Sequence, residues 1–245
     1  MADEENEQSP FSRPSFIIAA IVVAALVVAG VVVGINVATK DDGGDAQPAP
    51  STTTSAAPST EPTADAGGAS VCGLDGEKLS GTVTAAPAAE WQYQGTTAYP
   101  SSSTFGPADS EPSGARTCFQ HSPEGALFMA ANAIVQGSDP ATATAWAKYA
   151  LGDGQYRDQL SSQLGEGTGA QGRMTIEGFR VLNYDGDTAR IDLAVGTSSG
   201  AQSVKVSGVY ELVWQDGDWK ISADVAEPLN IAAIPDTSGY TPWGE

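Results

Sequence analysis

Histidine is almost absent from this sequence, because His121 is the only one among 245 residues. A serine–histidine or metal–histidine site would have to use His121, and one histidine cannot by itself make a zinc site. It follows Cys118 by three residues and stands directly before a helix start, where a local structural hydrogen bond is the ordinary role. The sequence offers no convincing catalytic constellation, so we expect no catalytic residue, no metal site and no cofactor.

Basic residues are scarce as well. The chain has 11 lysines and arginines against 30 acidic residues, which gives a net charge of −19. From Val71 onward there are 21 acidic and 9 basic residues, a net charge of −12, and the basic residues are scattered singly. Such a surface disfavours direct binding to nucleic acid or to an anionic membrane. An acidic surface is also an ordinary source of solubility, so it does not by itself indicate a partner.

The chain has only two cysteines, Cys72 and Cys118. Neither belongs to a CxxC motif, and no histidine cluster accompanies them. In an extracytoplasmic domain such a pair predicts a structural disulfide, with a redox pair or a metal site as the weaker alternative. The loop-closure model gives a bridge over this span a stabilising contribution of about 4 kcal/mol.

The sequence has a single long apolar run, Phe16 to Val37, which contains no charged residue. At about 1.5 Å per residue it can cross a hydrocarbon core of about 30 Å as a helix. Residues 1–15 are acidic and no cleavage site is obvious, so we predict an uncleaved transmembrane helix over residues 16–38. Arg13 and Lys40 leave its direction undecided. The cysteine pair and the linker favour a cytoplasmic N-terminus and an extracytoplasmic C-terminal domain.

The predicted anchor is followed by a linker, one domain and a tail. Residues 39–70 are rich in proline, serine, threonine and alanine, which predicts a disordered spacer. In an extended form it would reach on the order of 90 Å. Residues 71–225 are enough for one domain with a real core. Residues 226–245 form a C-terminal tail with apolar residues to pack on the domain or to offer to a partner.

Three helices are predicted between Ser122 and Leu164. Ser122 is a good N-cap, and Pro123 follows at the first helical position. Asp139 repeats the same start pattern, and a third helix can begin at Asp153. Apolar residues then recur at helical spacing along each segment.

Four strands are predicted within residues 171–225. Apolar and polar residues alternate over Ala189–Val195, Val204–Trp214 and Trp219–Val225. In the first strand the alternation changes phase at Gly178, which predicts a bulge and a curved sheet. The expected fold is therefore α+β, with three helices packed on a curved four-stranded antiparallel sheet.

Two motifs suggest chemistry but lack the required context. Ser198 lies in a G-x-S-x-G pattern, but a strand follows it where the hydrolase elbow needs a helix. The acidic pairs Asp185/Asp187 and Asp216/Asp218 lack the spacing of an EF-hand loop, and turn formation explains them.

The segment Val213–Ile221 resembles the final hairpin of the nuclear transport factor 2-like fold. With the order of anchor, spacer, helices and antiparallel meander, the chain is similar to the bitopic components of type IV secretion and conjugation machines. The resemblance implies an outer domain of that fold and a role in assembly, commonly as an oligomer.

A second resemblance rests on Cys72–Leu74, on Gly114–Ala126 and on the terminal Pro242–Gly244. These segments resemble an actinobacterial family of single-pass membrane proteins of unknown function, with the pattern C-G-L followed by R-x-C-F-x-H-S-P-x-G-A. Members are associated with mobile elements, which implies a link to conjugation.

Three functional hypotheses follow. We expect a non-enzymatic, membrane-anchored scaffold that binds other envelope proteins, or further copies of itself, in a conjugative or secretion apparatus. The bilayer would be contacted through Phe16–Val37, and nucleic acid would not be bound directly. The first alternative is a small-ligand-binding or sensing domain with a cavity lined by Trp146, Tyr210 and Trp214. An enzyme on the same cone-shaped fold is the weakest alternative.

Overall fold

An antiparallel sheet organises the computed structural model, which describes residues 70–165, 173–199 and 202–245. In chain order the strands are β1 (Glu90–Gln94), β2 (Thr97–Ser101), β3 (Asp109–Ser110), β4 (Arg116–Thr117), β5 (Arg173–Tyr184), β6 (Thr188–Ser199), β7 (Gln202–Gln215), β8 (Asp218–Ile221), β9 (Leu229–Ile234) and β10 (Thr241–Pro242). The helices are α1 (Pro123–Ser138), α2 (Ala143–Ala150) and α3 (Arg157–Gly165).

Six strands form the main sheet in the order β10-β5-β6-β7-β8, with β9 beside β7. All the pairs are antiparallel. One edge of β7 is shared by two strands, since Lys205–Tyr210 pair with β9 and Leu212–Gln215 pair with β8. The remaining short strands form two separate hairpins, β1–β2 and β3–β4.

The predicted four-stranded sheet is wrong, because the main sheet has six strands. Strands occur at the four predicted positions, and residues 226–245 add β9 and β10. The sequence LNIAAI of β9 has no apolar–polar alternation, since nearly all its residues are exposed. β10 has only two residues, too few to produce a pattern.

The predicted bulge at Gly178 is confirmed. The register between β5 and β6 shifts between Ile176 and Gly178, and again between Val181 and Asn183. A bulge bends its strand and increases the local twist. Gly178 also permits close approach of β10, because a Cβ atom there would lie 2.8 Å from the carbonyl oxygen of Thr241.

Helix α1 is buried along most of its length. The Ser122 side chain accepts a hydrogen bond from the Gly125 amide at 3.0 Å, which confirms the predicted N-cap. The helix is rich in alanine, and it packs against β2, α2 and strands β5 to β8. The buried Asn132 amide donates to the Pro100 carbonyl at 3.0 Å, which ties the β1–β2 hairpin to the helix. Small side chains therefore allow α1 to be enclosed.

The hydrophobic core lies between the helices and one face of the sheet. In β6 the alternate residues Ile191, Leu193 and Val195 are 0%, 0% and 3% exposed. Tyr210 and Leu212 of β7 face the same core. The alternation read from the sequence thus marks the face that carries the helices.

Three of the predicted segments lie outside the described residues, apart from one residue at the end of the third. These are the acidic tail 1–15, the transmembrane helix 16–38 and the linker 39–70, of which only Ser70 is described. Among the helices of the described part, none is both long enough and apolar enough to span a membrane.

Candidate functional site

Cys72 and Cys118 form a disulfide, as predicted, with their Cα atoms 6.0 Å apart. Cys118 is fully buried and adopts a left-handed φ of 69°. The Ser70 hydroxyl lies 3.0 Å from its Sγ atom. The bridge therefore fixes the start of the described domain to the segment that leads into α1.

His121 has a structural environment. Its side chain is 1% exposed, and its ring stacks on Trp214 with centroids 3.9 Å apart and an interplanar angle of 1°. Nε2 lies 2.7 Å from the Gly186 carbonyl oxygen, and Nδ1 lies 2.9 Å from a carboxylate oxygen of Glu77. His121 thereby connects the β5–β6 turn to the N-terminal segment. The prediction of a local hydrogen bond is wrong, because both polar partners are more than 40 residues away in the chain.

The three residues proposed to line a cavity are buried in the core. Trp146, Tyr210 and Trp214 are 3%, 4% and 6% exposed. Trp146 packs on α1, 3.1 Å from the point where a Cβ atom of Gly137 would lie. Burial raises the pKa of the Tyr210 hydroxyl. All three belong to one hydrophobic cluster.

Asp218 lies in β8 and its carboxylate is buried. The sequence pattern predicts a role in turn formation for this residue. It accepts hydrogen bonds from the amides of Cys118 (2.7 Å), Phe119 (2.8 Å) and Trp219 (2.9 Å) and from the Tyr149 hydroxyl (2.6 Å). Burial raises the pKa of Asp218, and the hydrogen bonds from Tyr149 and the two loop amides oppose that rise. The carboxylate joins the disulfide loop, α2 and β8.

A cleft of about 320 Å³ lies beside this carboxylate. Its lining consists of Val71, Lys148, Tyr149, Leu151, Gly152, Asp153, Arg157, Asp216 and Lys220. Lys220 is only 6% exposed, and its Nζ atom lies 3.1 Å from the centroid of the Tyr149 ring. Burial lowers the pKa of Lys220. Within the described ranges, no carboxylate lies in ion-pair contact with this ammonium.

A second cation of the cleft, Arg157, is less available to a ligand. Arg157 donates to the carbonyl oxygens of Leu151 and Lys148, and its guanidinium lies 3.3 Å from Asp153. Lys148 is exposed. The cleft can therefore present the Lys220 ammonium, and at its rim Lys148, to a small anionic group.

A second buried carboxylate, Asp192, lies on the sheet face opposite the helices. It accepts hydrogen bonds from Arg180 Nε at 3.0 Å, from the Ser207 hydroxyl at 2.6 Å and from the Tyr240 hydroxyl at 3.0 Å. The hydrogen bond to Asp192 raises the pKa of Arg180. The guanidinium carbon of Arg180 also lies 4.2 Å from the Tyr240 ring centroid. This cluster holds the C-terminal segment against the sheet.

Strand β9 presents an exposed apolar surface at an edge of the sheet. Ile231 and Leu229 are 49% and 37% exposed, although both are large and apolar. Within the described residues β9 pairs with β7 alone, so its other edge carries no strand. Edge strands of this kind are templates for pairing with another chain. This edge is the candidate binding surface.

The remaining motifs have turn or strand roles. Ser198 lies in β6, in register with Ser203 of β7, so no helix follows it. Asp185 accepts hydrogen bonds from the amide and the hydroxyl of Thr188, at 2.7 and 2.8 Å, in the β5–β6 turn. In the part of the chain that the structure describes, no three ligating side chains are grouped to hold a metal ion.

Comparison with known proteins gives one family and no individual relative. No curated protein and no solved structure matches the chain. The model of the family described as "Domain of unknown function (DUF8175)" matches residues 51–242. That range covers the disulfide, the three helices of the described residues and the sheet as far as β10. The chain therefore belongs to the DUF8175 family.

Proposed function

We propose that this protein is a non-enzymatic, membrane-anchored scaffold whose outer domain binds other envelope proteins through the free edge of β9. The observation that carries the proposal is the exposure of Ile231 and Leu229 on a strand whose outer edge pairs with no other strand of the described residues. Large apolar side chains on a folded surface commonly mark a site of protein–protein contact. The backbone of an edge strand adds hydrogen-bonding groups that a partner can use.

The rest of the domain supports this role because it holds the sheet in place. The Cys72–Cys118 bridge, the Asp218 network and the Asp192 cluster each join segments that are distant in the chain. A sheet fixed in this way presents a preformed edge, which lowers the cost of ordering on association.

The proposed location is the outer face of the cell membrane, with a cytoplasmic N-terminus. The disulfide supports it, because such bridges persist in oxidising compartments. The predicted anchor over residues 16–38 and the linker over 39–70 would place the domain at a distance from the bilayer.

The proposed partners come from the two resemblances. The hairpin Val213–Ile221 resembles that of bitopic conjugation and secretion components, and in the structure it is formed by β7 and β8. Cys72–Leu74 and Gly114–Ala126 resemble the actinobacterial single-pass membrane family associated with mobile elements. The proposed partners are therefore components of a conjugative or secretion apparatus, and further copies of this chain are the second class of proposed partner.

In-cell photo-crosslinking tests this function. A photoreactive amino acid at Ile231 is compared with one at Leu79, which is 41% exposed and lies beside Gly186 in the β5–β6 turn. We expect the first position, and not the second, to crosslink to an envelope protein that mass spectrometry identifies. Equal crosslinking from both positions, or none from Ile231, would contradict the proposal.

A second candidate function is binding of a small anionic ligand in the cleft beside Lys220. The supporting observation is a largely buried ammonium that lines a cleft and is not in contact with a carboxylate of the described residues. Calorimetric titration of the full chain in detergent with citrate and with inorganic phosphate tests it. Binding that disappears in Lys220→Met but persists in the rim variant Lys148→Met would support this function, and no heat from either anion would reject it.

A further inference from the structure

The hydrogen-bond pattern of β9 shows which of its backbone groups face outward. The Glu211 amide donates to the Pro228 carbonyl at 2.8 Å, immediately before the strand. In an antiparallel ladder hydrogen-bonded and non-hydrogen-bonded pairs alternate. The register pairs Val209 with Asn230 and Tyr210 with Leu229. Asn230 and every second residue after it therefore bond to β7, whereas Leu229, Ile231 and Ala233 direct their N–H and C=O groups away from it.

Prolines limit the free edge at both ends. Pro228 precedes Leu229 and Pro235 follows Ile234, and neither has an amide hydrogen to donate. The accessible stretch is thus short, with three outward-facing residues. A matching segment needs to be extended over only about six residues.

Side chains on the helix-facing side of β9 leave room for a partner. Directly paired residues share a face, so Ile231 lies beside Gly208 and Leu229 beside Tyr210. Gly208 has no side chain, and a Cβ atom there would meet only Leu229 Cδ1, at 3.8 Å. The partner would therefore find an apolar surface at alternate positions, formed by Leu229, Ile231 and Ala233.

The two charged residues that flank β9 in the chain are both acidic. No charged residue lies between Pro228 and Pro235. Glu227 directly precedes Pro228, Asp236 directly follows Pro235, and both are exposed. Among the described side chains, neither forms an ion pair, and the nearby Lys205 is bound to Glu177. A second copy of this chain aligned antiparallel on β9 would bring Asp236 near Glu227 of its neighbour. Like charges at that position disfavour self-pairing.

We infer that the free edge of β9 receives an extended segment of another protein that has apolar residues at alternate positions and a basic residue at each end. This inference rests on the proposed function and specifies the chemistry of the partner. The backbone of the segment would pair with Leu229, Ile231 and Ala233, and its basic residues would meet Glu227 and Asp236. The net charge of −12 from Val71 onward favours the encounter.

Two synthetic peptides test the inference on the full chain in detergent micelles. Both alternate valine and threonine, and they end in lysine or in glutamate at both termini. We expect the lysine-ended peptide to bind and to slow amide exchange at Leu229, Ile231 and Ala233, since these amides face it. We expect its affinity to exceed that of the glutamate-ended peptide by a factor on the order of ten.

Charge reversal sharpens the test. The double variant Glu227→Lys/Asp236→Lys is expected to reverse the preference in favour of the glutamate-ended peptide. The control Asp75→Lys/Glu90→Lys changes net charge equally at exposed sites away from β9 and should keep the original preference. Thermal unfolding checks that all variants are folded. If both double variants bind the glutamate-ended peptide more tightly, the preference follows net charge alone and the inference is wrong.

The outcomes separate the inference from the proposed function. If neither peptide binds while Ile231 crosslinks to an envelope protein in cells, the chemistry inferred here is wrong and the scaffold proposal stands. If the lysine-ended peptide binds as described but Ile231 captures no protein in cells, the edge is confirmed and the scaffold proposal fails. Crosslinks from Ile231 only to a second copy of this chain would overturn the inferred occupant.

Discussion

Strands β8 and β9 share one edge of β7, yet their composition and their surroundings are opposite. β8 carries two charged residues, Asp218 and Lys220, and all four of its residues are buried. β9 carries no charged residue, and five of its six residues are exposed. The charged strand is enclosed by the helices and the disulfide loop, whereas the apolar strand faces solvent.

Amino-acid composition alone therefore does not decide which strands of this domain are buried. Asp218 is buried because four donors converge on its carboxylate. Ile231 is 49% exposed, so it contributes little to the stability of the isolated domain. We therefore assign β8 to the stability of the domain and β9 to association.

Removal of the disulfide should have the largest effect. Cys72→Ser/Cys118→Ser is expected to lower the free energy of unfolding by about 4 kcal/mol, because the bridge closes a long loop. Denaturant unfolding followed by tryptophan fluorescence measures the change, since Trp214 and Trp219 lie close to the disulfide loop. A loss below about 1 kcal/mol would show that the enclosure of β8 does not depend on the bridge.

Asp218→Asn should have the next largest effect and lower the free energy of unfolding by about 3 kcal/mol. The carboxylate accepts hydrogen bonds from several N–H groups. In asparagine one oxygen is replaced by an amide nitrogen that cannot accept them, which leaves buried donors unsatisfied. The matched control is Asp216→Asn in the exposed turn, where φ is 56° and asparagine is well tolerated. We expect the control to change stability by less than about 0.5 kcal/mol. Equal effects would contradict the assignment of β8.

Lys220→Met should lower the free energy of unfolding less than Asp218→Asn does, although both residues are buried. A linear apolar side chain can occupy the space above the Tyr149 ring, and replacement of a buried charge costs little when the new residue packs well. We expect a change within about 1 kcal/mol. A loss comparable with that of Asp218→Asn, measured by the same unfolding experiment, would indicate that the ammonium stabilises the network.

Ile231→Thr should have the smallest effect on the free energy of unfolding, within about 0.5 kcal/mol, because the side chain is exposed and threonine retains strand propensity. The same change should weaken crosslinking to partners from a neighbouring position such as Asn230. Ile191→Thr is the contrasting control, because Ile191 is fully buried in β6 and its loss should destabilise the domain. If Ile231→Thr destabilises as much as Ile191→Thr, β9 belongs to the core.

The sequence predicts best those features that depend on local patterns. Ser122 caps α1 through an amide three residues away, and Gly178 marks the bulge through a phase change within its own strand. The disulfide is predicted because the chain has only two cysteines.

Features that depend on distant contacts are missed. Asp218 and Cys118 are separated by 100 residues, so nothing near Asp218 indicates that it receives donors from the disulfide loop. β9 is missed because a strand exposed on both faces has no reason to alternate apolar and polar residues. The six-stranded sheet and the candidate binding edge therefore emerge only from the structure.

Amide hydrogen exchange along β9 measures whether this strand offers an unpaired edge to a partner. In the purified full chain we expect fast exchange at Leu229, Ile231 and Ala233 and slow exchange at Asn230, Ala232 and Ile234, because only the second set bonds to β7. In native membrane vesicles, where partners are present, the first set should become slow as well. Equal protection of both sets in the purified chain, or no change of the first set in the vesicles, would contradict the claim that β9 offers a free edge to a partner.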